Sequence, residues 1–522
     1  MITAVKHQLQ QRSWLRQLLL LVLGGCLCFA YAPFELTLLP FVILPLLLAI
    51  SWNLGVKQAF AAGFSFALGW FGVGLSWIYV SIDQYGGMPA VANVAVMLLL
   101  VAYLSCFPAL ALALWRWLCQ RSELWRFSLP LIWLTTEALR GWLFSGFPWL
   151  GLGYTQTETL LGGLASSVGQ YGITVVLWFI ALAIVTGLRY RRPQNALLLV
   201  IIISLAWLAP GLQPLQRSGE TTSVLLVQGN VQQSLKWQSD QQWPNILRYL
   251  DLTRPNYQHD IIIWPESAIT ALEPYADDIL HNIDQAASIN NAAVVTGIID
   301  YDQQQDEFYN SVIVLGQQTA NDDFMPAYRY GHDNRYQKHQ LLPIGEFVPF
   351  EELLRPLAPL FNLPMSSFNR GAYQQANLQA KGQRLSTAIC YEIAFSGQVR
   401  DNTTADTDFI LTVSNDTWFG DSHGPWQHMQ IAQMRARELG RPVLRATNNG
   451  VSAVTDEHGS IIAIAPQFTA TTVSAEVANV RGSTLFAQAG QWPAIATALL
   501  GLLPLLRRLA NRRGQLQQKS VQ

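Results

Sequence analysis

Charge is scarce in this chain. Of its 522 residues only 13% are Asp, Glu, Lys or Arg, against a hydrophobic share of 51%. Soluble globular domains carry about twice that fraction of charge, so composition alone excludes a purely water-soluble enzyme. The formal net charge of −1 gives no whole-chain field to attract nucleic acid, and no nucleic-acid partner is expected. Cysteine is scarce as well. Four of the five (Cys26, Cys28, Cys106 and Cys119) lie in apolar segments near the N-terminus, where a small hydrophobe needs no further explanation. Cys390 alone lies in the polar half, which excludes an intramolecular disulfide there. There is no Gly-x-Ser-x-Gly elbow, no Gly-rich phosphate loop and no His-Glu-x-x-His. His423 and His428 stand five apart, which is not a helical ligand spacing, and no carboxylate cluster accompanies them. They are expected to pack against or cap a helix beginning near Gln427, and no metal or cofactor is expected.

What the chain has in plenty is apolar length. Mean hydropathy is +0.21, and the 18 tryptophans suit a membrane protein, whose indole rings settle at the lipid–water interface. Long apolar runs fill residues 14 to about 212, while seven of the eight histidines and most of the acids fall later. Eight spans are expected, at 17–33, 36–52, 58–80, 89–115, 127–144, 161–188, 196–211 and 491–506. The first is read as a retained span, not a cleaved signal, because Pro33 follows Ala30-Tyr31-Ala32 and a second apolar segment begins at once. Lys6, Arg12 and Arg16, Lys57, the 116–126 loop, the 189–192 loop and the C-terminal tail carry the basic residues of alternate connections. The intervening loops, around 34–35 and 81–85, carry none, and the next has only Arg140. This alternation places both termini in the cytoplasm and the polar region on the opposite face. Glu137 and Arg140, at helical spacing, are expected to form an interfacial ion pair beside a belt made by Trp142 and Trp149. The aromatic, glycine-rich loop 145–154 reads equally as a lipid-binding surface or an interfacial anchor.

From about residue 218 the pattern changes to short β-rich runs. Strands are expected at 224–228, 260–264, 293–299, 311–315, 385–389, 409–413, 443–447, 452–455, 461–465 and 472–476, with amphipathic helices near 240–251, 276–287 and 427–438. Strands alternating with helices, followed by a run of strands, predict an α+β or α/β layered sandwich. The domain plan is 1–217 for seven spans, 218–487 for the polar domain and 488–522 for the eighth span with a basic tail.

Two strands share one design. The apolar run 385–389 delivers Cys390, followed at once by Tyr391 and Glu392; the run 260–264 is stopped by Pro265 and delivers Glu266. A rigid strand fixes such a residue while the turn exposes it. The stretch from Tyr336 to Pro349 adds Lys338 among apolar and proline-fixed residues, with Glu346 nearby. Singly each is ordinary: a strand-end glutamate and a loop lysine are usually solvated, and a lone cysteine is usually inert. Together, carboxylate, ammonium and thiol are what acyl transfer requires.

Trp264-Pro265-Glu266-Ser267, Tyr336-x-Lys338 ahead of Pro343-x-Gly345-Glu346-x-Val348-Pro349, and Ile389-Cys390-Tyr391-Glu392, in that order, resemble the Glu-Lys-Cys triad of the nitrilase (carbon–nitrogen hydrolase) superfamily. The runs Asn415–Gly420 and Arg445–Ser452 fit the same pattern. Such a domain set between seven spans and an eighth resembles the bacterial apolipoprotein N-acyltransferase family. The resemblance implies an αββα sandwich on a polytopic helical bundle of about eight transmembrane helices in the cell inner membrane, with the catalytic domain periplasmic. It implies Glu266 as general base, Lys338 as oxyanion stabiliser and Cys390 as nucleophile. Glu346 would orient the lysine or substrate, Tyr391 and Glu392 would flank the nucleophile, and Trp237 would be an active-site tryptophan. It further implies a phospholipid acyl donor, typically phosphatidylethanolamine, a cysteine thioester, and a diacylglyceryl-lipoprotein whose α-amine accepts the chain.

Two other readings stand beside it. In a membrane-tethered amidase, water would resolve the same thioester. In a transporter or receptor, the outer domain would bind without catalysis. Independently of any resemblance, two lipid-anchored substrates give an enzyme a reason to have eight spans, and a soluble amide gives none. The segment 351–371, apolar but broken by Pro356, Pro359 and Pro364, reads as an arm over the site that dips into the membrane surface, or as cover for the sandwich core.

Overall fold

The computed structural model describes residues 12–191, 194–320, 328–343, 345–347 and 368–508. The chain divides into two compact units: Met1–Tyr79 with Val91–Leu212 and Ala489–Gln522, and Val80–Ala90 with Gln213–Gln488.

In the first unit a helix lies within each of the eight expected intervals. Three runs, Ser13–Ala30, Ala90–Cys119 and Leu160–Tyr190, are long and apolar enough to cross a membrane. A fourth crosses if Val56–Gly74 and Ser76–Tyr85, bent by 53° at their junction, count as one span. Pro40–Ser51 and Gln194–Leu208 are apolar but shorter. Residues 81–85, expected as a loop, continue the helix Ser76–Tyr85. Where Ser13–Leu27 crosses Val56–Gly74, small residues let backbone meet backbone. A Cβ on Gly24 would fall 1.8 Å from the Phe66 carbonyl oxygen, and one on Gly69 would fall 1.9 Å from that of Leu21. In lipid, where apolar burial drives little association, such close approach is a main source of helix adhesion.

Glu137 and Arg140 depart from the expected interfacial pair. Both are buried, and each is held by other groups: Arg140 Nη1 donates to the carbonyls of Phe147 and Trp149 at 2.8 and 2.6 Å, and Trp133 Nε1 donates to Glu137 at 3.1 Å. Trp149 is buried against Trp77, leaving Trp142 as the exposed member of the expected belt. The loop needs the guanidinium because its irregular backbone leaves carbonyls that no helix satisfies.

The second unit is a sandwich of two six-stranded sheets. The strands are β1 (Gln216–Gln228), β2 (Ile261–Ile263), β3 (Ala293–Asp302), β4 (Glu307–Gly316), β5 (Arg335–Gln337), β6 (Leu378–Ala380), β7 (Gln383–Ile389), β8 (Phe409–Ser414), β9 (Val443–Thr447), β10 (Ala453–Thr455), β11 (Ile461–Ile464) and β12 (Thr471–Arg481). One sheet runs β12-β1-β2-β3-β4-β5 and the other β11-β10-β9-β8-β7-β6. In each, three central strands are parallel (β1-β2-β3 and β7-β8-β9) and the flanking pairs antiparallel.

Alternation along each strand sorts side chains between layers. Val224 and Leu226 of β1, with Ile261 and Ile263 of β2, meet Leu385, Ile389, Leu411 and Val413 of the other sheet in the central core. Leu225, Val227 and Ile262 point the other way, onto Ile246 and Tyr249 of the helix Gln242–Thr253 and Leu280 and Ile283 of Asp277–Ile289. Burial of each such aliphatic side chain contributes about 1.5–3 kcal/mol. Outside the second sheet, the helix Gly424–Leu439 packs on β9 and β10. Layers therefore run helix, sheet, sheet, helix.

Candidate active site

Parallel strands place functional groups at their C-terminal ends, and here the ends of parallel β2 and β7 are joined by that of the antiparallel edge strand β5. After β2, Trp264 continues along β3, its N–H donating to the Val295 carbonyl at 2.8 Å, before Pro265 and Glu266 turn away. The neighbouring strand makes room with Gly297, where a Cβ would lie 2.5 Å from the Ser267 nitrogen and 2.8 Å from the Glu266 Cα. Any larger residue would push the Glu266 turn off the sheet. Buried Glu266 is then fixed on both oxygens: Oε1 accepts from Asn310 Nδ2 at 2.8 Å, and Oε2 from the Asn415 main-chain N–H at 2.9 Å.

Lys338 follows β5 directly. Its N–H donates to the Asn310 carbonyl at 2.8 Å and its carbonyl accepts from Gly371 N–H at 2.9 Å, so both sides of its backbone are tied. The buried ammonium lies 2.8 Å from Glu346 Oε1 and 3.5 Å from Glu266 Oε1. Burial alone would lower its pKa; the carboxylates of Glu346 and Glu266 outweigh it and hold the ammonium charged far into the alkaline range. Glu346 is anchored in turn, its Oε2 accepting from Leu342 N–H at 2.8 Å.

Cys390 ends β7 with φ 54, in the left-handed region that a side chain rarely adopts. Two buried devices hold that backbone. Glu392 accepts N–H groups from Ile389, His339 and Gln340 at 2.8, 2.8 and 3.0 Å and also the Tyr336 hydroxyl, so one carboxylate ties the cysteine turn to the residues after Lys338. Beneath the turn, His428 Nε2 donates to the Cys390 carbonyl at 3.0 Å. A carbonyl only accepts, which fixes the proton on Nε2 and leaves Nδ1 to accept from Arg445 Nη2 at 3.0 Å. Burial and the Arg445 charge lower the His428 pKa, which keeps the ring in this neutral form. Asp416 completes the cluster, bonded to Ser414 Oγ at 2.6 Å and Arg445 Nη2 at 2.7 Å. Burial would raise its pKa, but the Arg445 guanidinium, with the Ser414 hydroxyl, holds the carboxyl well below the usual range.

Burial, reinforced by the Glu266 carboxylate, pushes the Cys390 thiol well above its ordinary pKa; Lys338 opposes this without reversing it. The resting thiol is protonated, so chemistry there needs a base at the moment of attack. A carboxylate and a fixed ammonium within electrostatic reach of a thiol supply both a proton acceptor and a site for a developing oxyanion.

The remaining expected residues sit further out. Tyr391 is buried with its ring edge-on to Phe395 at 5.0 Å. Trp237 is 36% exposed, at the end of the short helix Gln233–Lys236. His423 immediately precedes the helix Gly424–Leu439 and makes no side-chain cap there, whereas His428 packs under the nucleophile turn. Three buried residues escaped the sequence reading: Asn310, His428 in its supporting role, and Lys236. The Lys236 ammonium donates to the Glu266 carbonyl at 3.1 Å, and burial lowers its pKa to about 8 against the pull of Glu266 and Cys390. Only its position beside Trp237 hinted at it. The segment Val80–Ala90 also joins this unit: Ser81 Oγ donates to the Trp418 carbonyl at 2.6 Å, and Tyr85 meets the Trp418 ring at 4.9 Å. Of the expected arm, 351–367 lies outside the described residues.

Two family models match the chain: the apolipoprotein N-acyltransferase N-terminal domain over residues 23–183, and carbon-nitrogen hydrolase over 224–484. An apolipoprotein N-acyltransferase of Shewanella oneidensis is 47% identical over 94% of this chain and 95% of its own length. That of Vibrio cholerae is 47% identical over 89% of this chain and 91% of its own. A solved nitrilase-superfamily protein of Saccharomyces cerevisiae, 16% identical with a TM-score of 0.34, covers 49% of this chain and 90% of that one, too distant a likeness to carry weight. With the identity sustained through both units, this chain belongs to the apolipoprotein N-acyltransferase family.

Proposed function

We propose that this chain transfers a fatty acyl group from a phospholipid, through a thioester on Cys390, to the α-amino group of the diacylglyceryl-cysteine that begins a lipoprotein. The observation that carries the reading is the cluster of Glu266, Lys338 and Glu346 at the nucleophile turn, in a chain 47% identical to a named apolipoprotein N-acyltransferase. The Glu266 carboxylate takes the Cys390 proton as Sγ bonds to the ester carbonyl, and the Lys338 ammonium stabilises the oxyanion. Collapse breaks the C–O bond, and Glu266 returns the proton to the leaving lysophospholipid oxygen. The amine then attacks the thioester, Glu266 takes its proton, and the amide forms as the thiol departs.

On this reading the chain crosses the inner membrane eight times, with 1–217 forming seven spans and 488–522 an eighth and a basic tail. Both termini are cytoplasmic and domain 218–487 is periplasmic, as the distribution of Lys and Arg between loops supports. Phosphatidylethanolamine is the proposed donor. Trp237 and Tyr391 contact substrate, while Glu346 and Glu392 position the lysine and the cysteine turn. The test supplies the full chain with phosphatidylethanolamine vesicles and then either a diacylglyceryl-cysteine peptide or buffer. N-acyl peptide in the first arm and little free fatty acid in the second is expected. Equal fatty-acid release in both would make the protein an amidase-like hydrolase.

A further inference from the structure

Asn310 is a buried polar residue at the centre of the site for which the mechanism above has no use. It opens the inward half of β4, paired with Ile299 of β3, and its main-chain carbonyl holds the Lys338 N–H. Its side-chain amide lies between two carboxylates: Nδ2 is 2.8 Å from Glu266 Oε1 and 3.1 Å from Glu346 Oε1. Since carboxylates only accept, both Nδ2 protons are committed and the amide cannot be flipped. Oδ1 is buried with no partner among the described residues, a cost that a residue serving packing alone would not carry.

The arrangement has a consequence for Lys338. Two carboxylates compete for one buried ammonium, yet it lies at 2.8 Å from Glu346 and 3.5 Å from Glu266. Asn310 Nδ2 holds the Glu266 oxygen that faces the lysine at 2.8 Å and the Glu346 oxygen more loosely at 3.1 Å, so it is Glu346 that closes on the ammonium. Without those N–H groups, Glu266 Oε1 would close on Lys338, tying the base and the oxyanion cation into one ion pair in which neither is free. We infer that Asn310 is a positioning residue that keeps Glu266 and Lys338 apart, so that one can take a proton while the other receives an oxyanion. The inference rests on the roles proposed above for Glu266 and Lys338.

The charged and titratable groups facing Glu266 are Lys338 from the β5 end, Lys236 from the short helix before Trp237, Glu346 across Asn310, and the Cys390 thiol. An ammonium brought into contact outweighs the loss of one neutral donor, so the closed pair keeps the base ionised. The acid limb of the pH–rate profile for thioester formation, where the base must be ionised, therefore moves to lower pH while the rate falls.

The test measures single-turnover acylation by phosphatidylethanolamine vesicles across pH for the full chain, Asn310→Leu and Asn310→Asp. Asn310→Leu, similar in size but unable to donate, is expected to slow acylation about 10- to 100-fold and to lower the limb by about one unit. Asn310→Asp, which adds a third carboxylate beside the base, is expected to raise it instead. Slower acylation with the limb unmoved would overturn the inference, as would an unchanged rate. Loss of folding in both variants, followed by thermal melting, would also overturn it by making Asn310 a core residue. Glu266→Gln separates the underlying reading: if it forms thioester at the wild-type rate, the proposed base is wrong whatever Asn310 does.

Discussion

Two buried charge clusters meet the nucleophile turn, and they differ in how charge is balanced. Behind it, Asp416 faces Arg445, with a neutral His428 passing the constraint to the Cys390 carbonyl. One carboxylate matches one guanidinium, and the carboxyl is held well below its usual range. In front, two carboxylates share the Lys338 ammonium. The rear cluster fixes the backbone of the turn; in front, Glu266 and the Lys338 and Lys236 ammonium groups act on the Cys390 thiol itself. Burial alone therefore does not mark a catalytic group. What the charges face, backbone or thiol, does.

Exchanging single members tests that distinction. Cys390→Ala, Glu266→Gln and Lys338→Met should each cut thioester formation by several orders of magnitude, because nucleophile, base and oxyanion cation act as a unit. Melting temperatures should stay close to wild type in Cys390→Ala and Glu266→Gln, whereas Lys338→Met, which leaves two buried carboxylates without their ammonium, should lower the melting temperature as well. Behind the turn the signature inverts: Asp416→Asn or Arg445→Met strands a buried charge and should cost roughly 3–5 kcal/mol of stability, read as a large fall in melting temperature. His428→Phe removes a single donor to the Cys390 carbonyl. It should slow acylation about tenfold with a smaller loss of stability, on the order of 1–3 kcal/mol.

A pH measurement sharpens the front cluster. Glu266 raises the Cys390 pKa and Lys338 lowers it. The midpoint of Cys390 alkylation against pH should thus fall in Glu266→Gln and rise in Lys338→Met, although both variants lose activity. Movement in the same direction would show that the two groups do not act on the thiol as opposite charges. The smallest expected effect is at Lys236. Its pKa of about 8 lies below the ordinary lysine value of 10.5, so between those values the unfolded chain binds more protons and stability rises with pH. Lys236→Met should flatten that rise, read as melting temperature from pH 7 to 10.5.

The central strands were legible in the sequence because parallel strands buried on both faces read as continuous apolar runs. Strands β2, β7, β8 and β9 fall within two residues of expectation. By contrast β5 and β6, three residues each and flanked by polar residues, carry no periodicity to detect. Strand β1 begins at Gln216, not 224, because its exposed first half is held by the ladder to β12 and has no buried face. At the site, Glu266 and Cys390 announced themselves by polarity at the ends of apolar runs, and Lys338 and Glu346 by their place in a stretch of apolar and proline-fixed residues. Asn310 sits in an ordinary Tyr-Asn-Ser stretch and His428 inside a helix. Their significance comes from partners 36 to 44 residues away, which no local pattern encodes.

The central claim is that Cys390 carries the acyl chain between two lipid substrates. Intact-mass spectrometry of the full chain, mixed with phosphatidylethanolamine vesicles and no acceptor, addresses it directly. One fatty acyl adduct should appear, mapped to Cys390, released by hydroxylamine and transferred when a diacylglyceryl-cysteine peptide is added. Lysophospholipid release with no adduct on Cys390, or an adduct that persists in Cys390→Ala, would contradict it.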